Sequence, residues 1–306
     1  AVAAGLAAVM LLVAGCASST DTASQAYVAE AHDFVMPLVR KNGHLYARAA
    51  INGQPVGFFL IDTGANVVAL DPTFADELDL PHVGAANITG IGGTHGADIR
   101  RIDDLNVGGL SFGRHRALTV DLGHLSTTSH RDVVGILGYN ALRTRPFTID
   151  YSHRLLTFHD ARYFKPPADA TEHDLLDISR LPMVHAELPP HGRVWMLIDY
   201  GSNAWVSLPG VALERWPTLL DGLPNEQSST WGVGGHIRDV RSVLRELRMF
   251  GLTLSNLLMD VEWTDRQAEH DGRIIARVGT GLLKDFVLTF DAGNDKLYMR
   301  WLPADP

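Results

Sequence analysis

The chain has 306 residues, 46% of them apolar and 20% charged, with a net charge of −9 at pH 7. That excludes a disordered chain, which lacks such apolar content, and a multi-span membrane protein, which needs more. The acidic balance, without a basic block, excludes a partner held by its phosphate backbone, so no nucleic acid is expected.

Residues 1–15 are almost wholly apolar, running through Val9-Met10-Leu11-Leu12-Val13 into Ala14-Gly15-Cys16, and the chain turns polar from Ser18. About 15 apolar residues suit a signal-peptide core better than a membrane span. The small residues before Cys16 resemble a bacterial lipoprotein box, in which the cysteine becomes the lipidated first residue. An ordinary signal peptide with an incidental cysteine is the alternative. The expectation is a signal at 1–16, a flexible tether at 17–33 and a lipid anchor at Cys16 as the sole membrane attachment. The protein would then sit in a bacterial cell envelope on the periplasmic side, or, with an ordinary signal, be secreted or soluble in the periplasm. One cysteine rules out an intrachain disulfide and a zinc site built on several cysteines.

From Phe34 the pattern is β-dominated. Residues 44–51, Asn52-Gly53 and residues 56–61 read as strand, turn, strand. Asp62-Thr63-Gly64-Ala65 follows, and then a short helix over 74–78, with Asp71 as cap and Pro72 in the first position. Next come the glycine-rich Gly90-Ile91-Gly92-Gly93, the turn Gly109-Leu110-Ser111-Phe112, the apolar run 133–137 ending at Gly138, and Phe147-Thr148-Ile149-Asp150. A pattern-poor stretch at 161–173 separates this lobe, 34–165, from a second at 166–303.

The second lobe repeats the landmarks in order. Asp199-Tyr200-Gly201-Ser202 answers the first turn, and Gly232-Val233-Gly234-Gly235 answers the glycine-rich segment. Gly251, Gly279 and Leu288-Thr289-Phe290-Asp291 answer the rest. Asp62 and Asp199 stand 137 positions apart and the later partners 141 or 142, a register that scattered glycines would not hold. Leu208-Pro209 before Val211 is expected to start a helix as Asp71-Pro72 does. Short helices at 139–143 and 282–285 precede hairpins at 147–158 and 287–299.

Each aspartate ends an apolar run, Phe58-Phe59-Leu60-Ile61 or Val194-Trp195-Met196-Leu197-Ile198, so each carboxylate should emerge from a strand covered on both faces. Placing ionisable groups there is costly and is tolerated mainly at functional sites. Other signals are weaker. Gly109-x-Ser111-x-Gly113 precedes a further strand rather than a helix, so Ser111 reads as a hairpin residue and not a nucleophile. Fourteen histidines form no metal-ligand spacing, and no metal or cofactor is expected. Arg238, Arg241, Arg245 and Arg248 read as a solvated hairpin face. Trp195, Trp205 and Trp216 read as core or cleft wall, and Trp231 as the aromatic that contacts substrate.

Ile61-Asp62-Thr63-Gly64-Ala65, the glycine-rich hairpin and Ile136-Leu137-Gly138 resemble the retropepsin-like aspartic peptidases, in the bacterial form with two lobes in one chain. The resemblance implies an all-β fold of two duplicated acid-protease lobes with the active site at their interface. It implies that Asp62 and Asp199 face each other, share one proton and activate a water. Thr63, Gly64, Ala65, Tyr200, Gly201 and Ser202 would form the active-site turns. Gly90, Ile91, Gly92, Gly93 and Trp231, Gly232, Val233, Gly234, Gly235 would form flaps over an extended peptide or protein substrate. With both lobes in one chain, a monomer is expected. The second turn departs from the family pattern: Tyr200 stands where a small hydroxyl residue ties the two turns together. Ser202 is expected to donate to Asp199. The alternative function is a lipoprotein of the same fold that binds extended peptides and cleaves them weakly or not at all.

Overall fold

In each half two central strands run parallel, and one of them leads to an aspartate at its C-terminal end. The structure is a computed structural model and describes residues 29–30, 32–90, 92–125, 132–233, 235–264 and 267–302. The signal segment with Cys16, most of the tether, Ile91 and Gly234 lie outside the described residues. In the first half the strand order is Val39–Lys41, His44–Ile51, Gln54–Asp62, Val133–Gly138, Val68–Leu70, Leu110–Thr119, Gly93–Val107, His82–Gly90. In the second it is Leu176–Ile178, Leu181–Leu188, Gly192–Ile198, Arg273–Val278, Val206–Pro209, Leu252–Glu262, Gly235–Met249, Glu226–Gly232. The two orders are the same, so the protein is all-β and built from two copies of one lobe.

Gln54–Asp62 pairs in parallel with Val133–Gly138, and Gly192–Ile198 with Arg273–Val278. Parallel strands are covered on both faces, which is why they read as unbroken apolar runs. Phe59, Ile61, Met196 and Ile198 are fully buried.

A third sheet joins the lobes. Its order is Phe34–Pro37, Leu155–Phe158, Phe147–Asp150, Phe286–Asp291, Lys296–Trp301, Thr171–Asp174, three strands from each half. At its centre Phe147 pairs with Phe290, and the two rings stack at 4.6 Å. The hydroxyls of Thr148 and Thr289 meet at 2.7 Å beside His159, which in turn faces Asp33. One apolar core runs through both lobes and this sheet.

The helices are short. Pro72–Glu77 begins as its sequence demands: Asp71 accepts the Thr73 N–H at 3.0 Å, and Pro72 occupies the first turn. The counterpart differs. Pro209 ends the strand Val206–Pro209, and Val211–Arg215 starts from Gly210 with no side-chain cap. The later helices are Tyr139–Leu142 and Thr280–Leu283, the second starting two residues before its predicted place. Its first N–H, that of Thr280, is fixed by the carbonyl of Ser202 at 2.8 Å.

Candidate active site

Asp62 closes the strand Gln54–Asp62, and Asp199 directly follows Gly192–Ile198. In both turns the carboxylate bends back onto its own chain. Gly64 N–H donates to Asp62 Oδ1 at 2.8 Å and Gly201 N–H to Asp199 Oδ1 at 2.8 Å, the local bonding that makes aspartate a turn residue.

The turns then interlock across the lobes. A Cβ placed on Gly64 would lie 2.3 Å from Cγ of Asp199, and one on Gly201 would lie 2.2 Å from Cγ of Asp62. Each carboxylate is therefore seated against the glycine of the opposite turn. Gly138 and Gly279 permit a similar close approach within their own lobes: a Cβ there would meet the carbonyl oxygens of Val67 at 2.1 Å and Ser202 at 2.6 Å. Only glycine permits such approach.

Thr63 carries a hydrogen-bonded link between the two turns. Fully buried, its hydroxyl donates to the Ile198 carbonyl at 2.6 Å and accepts the Tyr200 N–H at 2.9 Å. Tyr200 returns nothing from its side chain. Its ring is fully buried in the shared core, and its hydroxyl has no hydrogen-bond partner among the described residues. Burial, and after it the charges of Asp150 and Tyr151, hold the phenol well above its ordinary value, so it stays protonated. The tyrosine thus fits by packing, and the link between turns is one-sided.

Ser202 does not reach Asp199 as expected. Its hydroxyl accepts the Ala204 N–H at 3.3 Å, while Asp199 turns toward Gly201 on one side and Arg277 on the other. Ala65 contributes its carbonyl, which accepts the Tyr139 N–H at 2.7 Å.

Arg277 was missed by sequence reasoning, although a signal was present. The motif Ile136-Leu137-Gly138 becomes Arg277-Val278-Gly279 in the second half, which puts a guanidinium where the first half has isoleucine. Arg277 Nη2 donates to both oxygens of Glu262 at 2.6 Å, and Nε lies 3.7 Å from Asp199 Oδ2. Burial opposes its charge, but Glu262, Asp199 and Asp62 outweigh burial and raise its pKa. It is a buried, permanently charged neighbour of the aspartate pair.

Above the pair, the hairpins His82–Gly90/Gly93–Val107 and Glu226–Gly232/Gly235–Met249 turn at Gly90, Gly93 and Gly232, Gly235. Gly93 and Gly235 have φ of 123° and 117°, which favours glycine. The tips touch: Gly92 N–H donates to the Val233 carbonyl at 3.1 Å, and a Cβ on Gly90 would lie 2.2 Å from that oxygen. Trp231 holds a strand position in the second hairpin, and its side chain lies outside what is described. Beneath the tips are two cavities of about 250 and 640 Å³, each lined by Asp62, Ile136, Val233 and Arg277. The larger also reaches Asp199, Trp205 and His44. Burial depresses the His44 pKa, Asp199 raises it, and His124 adds to the lowering.

Residues 47–141 match the family model described as aspartyl protease, a stretch containing Asp62-Thr63-Gly64 and Ile136-Leu137-Gly138. No curated protein matches the chain. Among solved structures, the crystal structure of Basic 7S globulin from soybean is similar over 89% of this chain and 96% of that chain, at 12% identity and a TM-score of 0.49. The family match, which lies in the first lobe, supports an aspartic-protease-like function for the chain.

Proposed function

We propose that the chain is an aspartic endopeptidase, with Asp62 and Asp199 as its catalytic pair. The observation that carries this reading is the reciprocal seating of the two carboxylates against Gly201 and Gly64, under two flap tips that meet. Two adjacent carboxyl groups hold one proton between them, because both cannot ionise cheaply. The ionised member takes a proton from a bound water as its oxygen attacks the peptide carbonyl carbon, and the protonated member donates to the carbonyl oxygen. The tetrahedral intermediate collapses with cleavage of the C–N bond, and a proton passes to the departing nitrogen. The flap strands offer edges to an extended peptide or protein, and their closure excludes water. The apolar segment ending at Cys16 supports a lipid anchor in a bacterial cell envelope as its location.

The test is cleavage of a mixed peptide substrate between pH 3 and 8. Wild type should cleave, and Asp62→Asn and Asp199→Asn should fold but lose at least about 10³-fold in kcat/KM. A wild type that binds extended peptides without cleaving them would replace this reading with that of a peptide-binding lobe pair.

A further inference from the structure

The two lobes share a strand order but not the charge placed beside the aspartate pair. Their turns treat the two carboxylates alike. Gly64 and Gly201 each donate one N–H at 2.8 Å to the aspartate of their own turn, and each carboxylate packs against the opposite glycine. A pair in wholly equivalent surroundings would have no reason to keep its shared proton on one member.

Strand register shows where the equivalence breaks. In the first lobe Ala69 pairs with Ile136, and Leu70 runs beside Thr119, one residue before Val120. In the second lobe Ser207 pairs with Arg277, and Leu208 runs beside Val261, one residue before Glu262. The register equates Ile136 with Arg277 and Val120 with Glu262. Ile136 and Val120 lie in one apolar cluster, whereas Arg277 Nη2 and Glu262 form a buried ion pair at 2.6 Å. Such a pair costs desolvation that an apolar contact avoids, so stability alone gives it little advantage. The guanidinium also turns a second edge to the site: Nε lies 3.7 Å from Asp199 Oδ2, beyond a hydrogen bond but within ion-pair range. Asp199 acts on the charge of Arg277 more strongly than Asp62 does, and Coulomb attraction is mutual.

We infer that Arg277 is a positioning residue that draws the single negative charge of the pair onto Asp199 and leaves the shared proton on Asp62. The inference rests on the peptidase reading of the site and assigns the two roles within it. Asp199 takes a proton from water as the water oxygen bonds to the peptide carbonyl carbon, and Asp62 gives its proton to the carbonyl oxygen. Arg277 acts through Asp199, and Glu262 holds the guanidinium in place. Other charged or titratable groups face the same space. His44, His124, Arg241 and Asp260 line the larger cavity, and Asp239 lies opposite Glu262 across the strands. A protonated His44 would add to the pull of Arg277, since Asp199 favours its charged form. None of these groups is altered in the variants below, so their part is common to the enzymes compared.

The test reads the pair with and without its cation. Glu262→Val with Arg277→Ile copies the first lobe and removes both charges together, so neither is stranded. A positive charge favours loss of a proton from the pair, so its removal should move both limbs of the kcat/KM profile to higher pH. The shift expected is about one unit, the low end for a neighbouring charge, because Glu262 offsets part of the field. A merely structural role would lower the profile without displacing it. Glu262→Gln with Arg277→Gln should displace it likewise, and serves if the first double variant does not fold. A carboxyl-carbon NMR titration of wild type needs neither variant nor turnover. With the two signals assigned by their loss in Asp62→Asn and Asp199→Asn, the first proton to leave the pair should come mainly from Asp199. That pattern without cleavage by wild type upholds the placement of charge and overturns the peptidase reading alone. A first step that falls on Asp62 or equally on both, or limbs that stay in place in the folded double variants, overturns the role of Arg277.

Discussion

Thr63 and Tyr200 occupy equivalent places in the two turns, and they hold the interface by different physics. Thr63 gives two buried hydrogen bonds across the lobes, whereas Tyr200 gives volume. Thr63→Val should strand the Ile198 carbonyl and the Tyr200 N–H, at about 1–3 kcal/mol for each buried group left unpaired. Urea unfolding would measure that loss. Tyr200→Phe removes an unpartnered hydroxyl and should leave stability unchanged or raise it by up to about 1 kcal/mol. Tyr200→Thr restores the residue type expected there, but it empties a fully buried ring site and should cost about 2–5 kcal/mol. An unfolding midpoint for Tyr200→Thr equal to that of wild type would contradict this account. The sequence marked position 200 as a departure but could not say where the ring goes, because that depends on the core of the other lobe. Arg277 was legible as a break in a repeated motif. Its partner Glu262 was not, since the bond spans two strands and only register brings them together.

At the level of elements, local chemistry was the part most readily read. The Asp71 cap, the paired Asp-x-Gly turns and the glycine hairpins all follow from short stretches whose backbone needs are written in their own residues. The helix at Val211–Arg215 shows the limit. Its Leu208-Pro209 signal mimics a helix start, but pairing of Val206–Pro209 with Leu252–Glu262 draws the proline into a strand. The two Asp-x-Gly turns are also where small changes should be most costly. Gly64→Ala or Gly201→Ala inserts a methyl group 2.2–2.3 Å from the opposite aspartate's Cγ, where no side chain can be accommodated without moving the carboxylate. Displacements of that order cost about 10²-fold in rate at a reacting pair, so either variant should lose at least that in kcat/KM. Circular dichroism alongside would separate a displaced pair from an unfolded one.

Across the whole molecule, the joining sheet was the feature least visible beforehand. Its two central strands lie about 140 residues apart, and strand periodicity says which residues face inward but not which distant edge is met. Histidines drawn partly out of water set a further property at this scale. His44, His115, His124, His159, His173 and His191 all have pKa values lowered from 6.5, with burial as the main cause. The unfolded chain therefore binds more protons than the folded one between those lowered values and 6.5, so stability is greatest above 6.5 and falls with acidification. Urea unfolding at pH 7, 6 and 5 should show a falling midpoint, and a midpoint that rises over that range would refute the assignment.

The shared sheet also bears on history and on what the molecule is free to become. A cleft assembled from two separate identical chains would carry the same side chain at both equivalent positions, so any substitution would be made twice. Here each half supplies three strands to one sheet within a continuous polypeptide, and the two sides are released from that obligation. Isoleucine at 136 can coexist with arginine at 277, and threonine at 63 with tyrosine at 200. A single chain lets a two-fold symmetric pocket become one with two different sides, and a pocket with different sides can distinguish the direction of an extended chain laid across it.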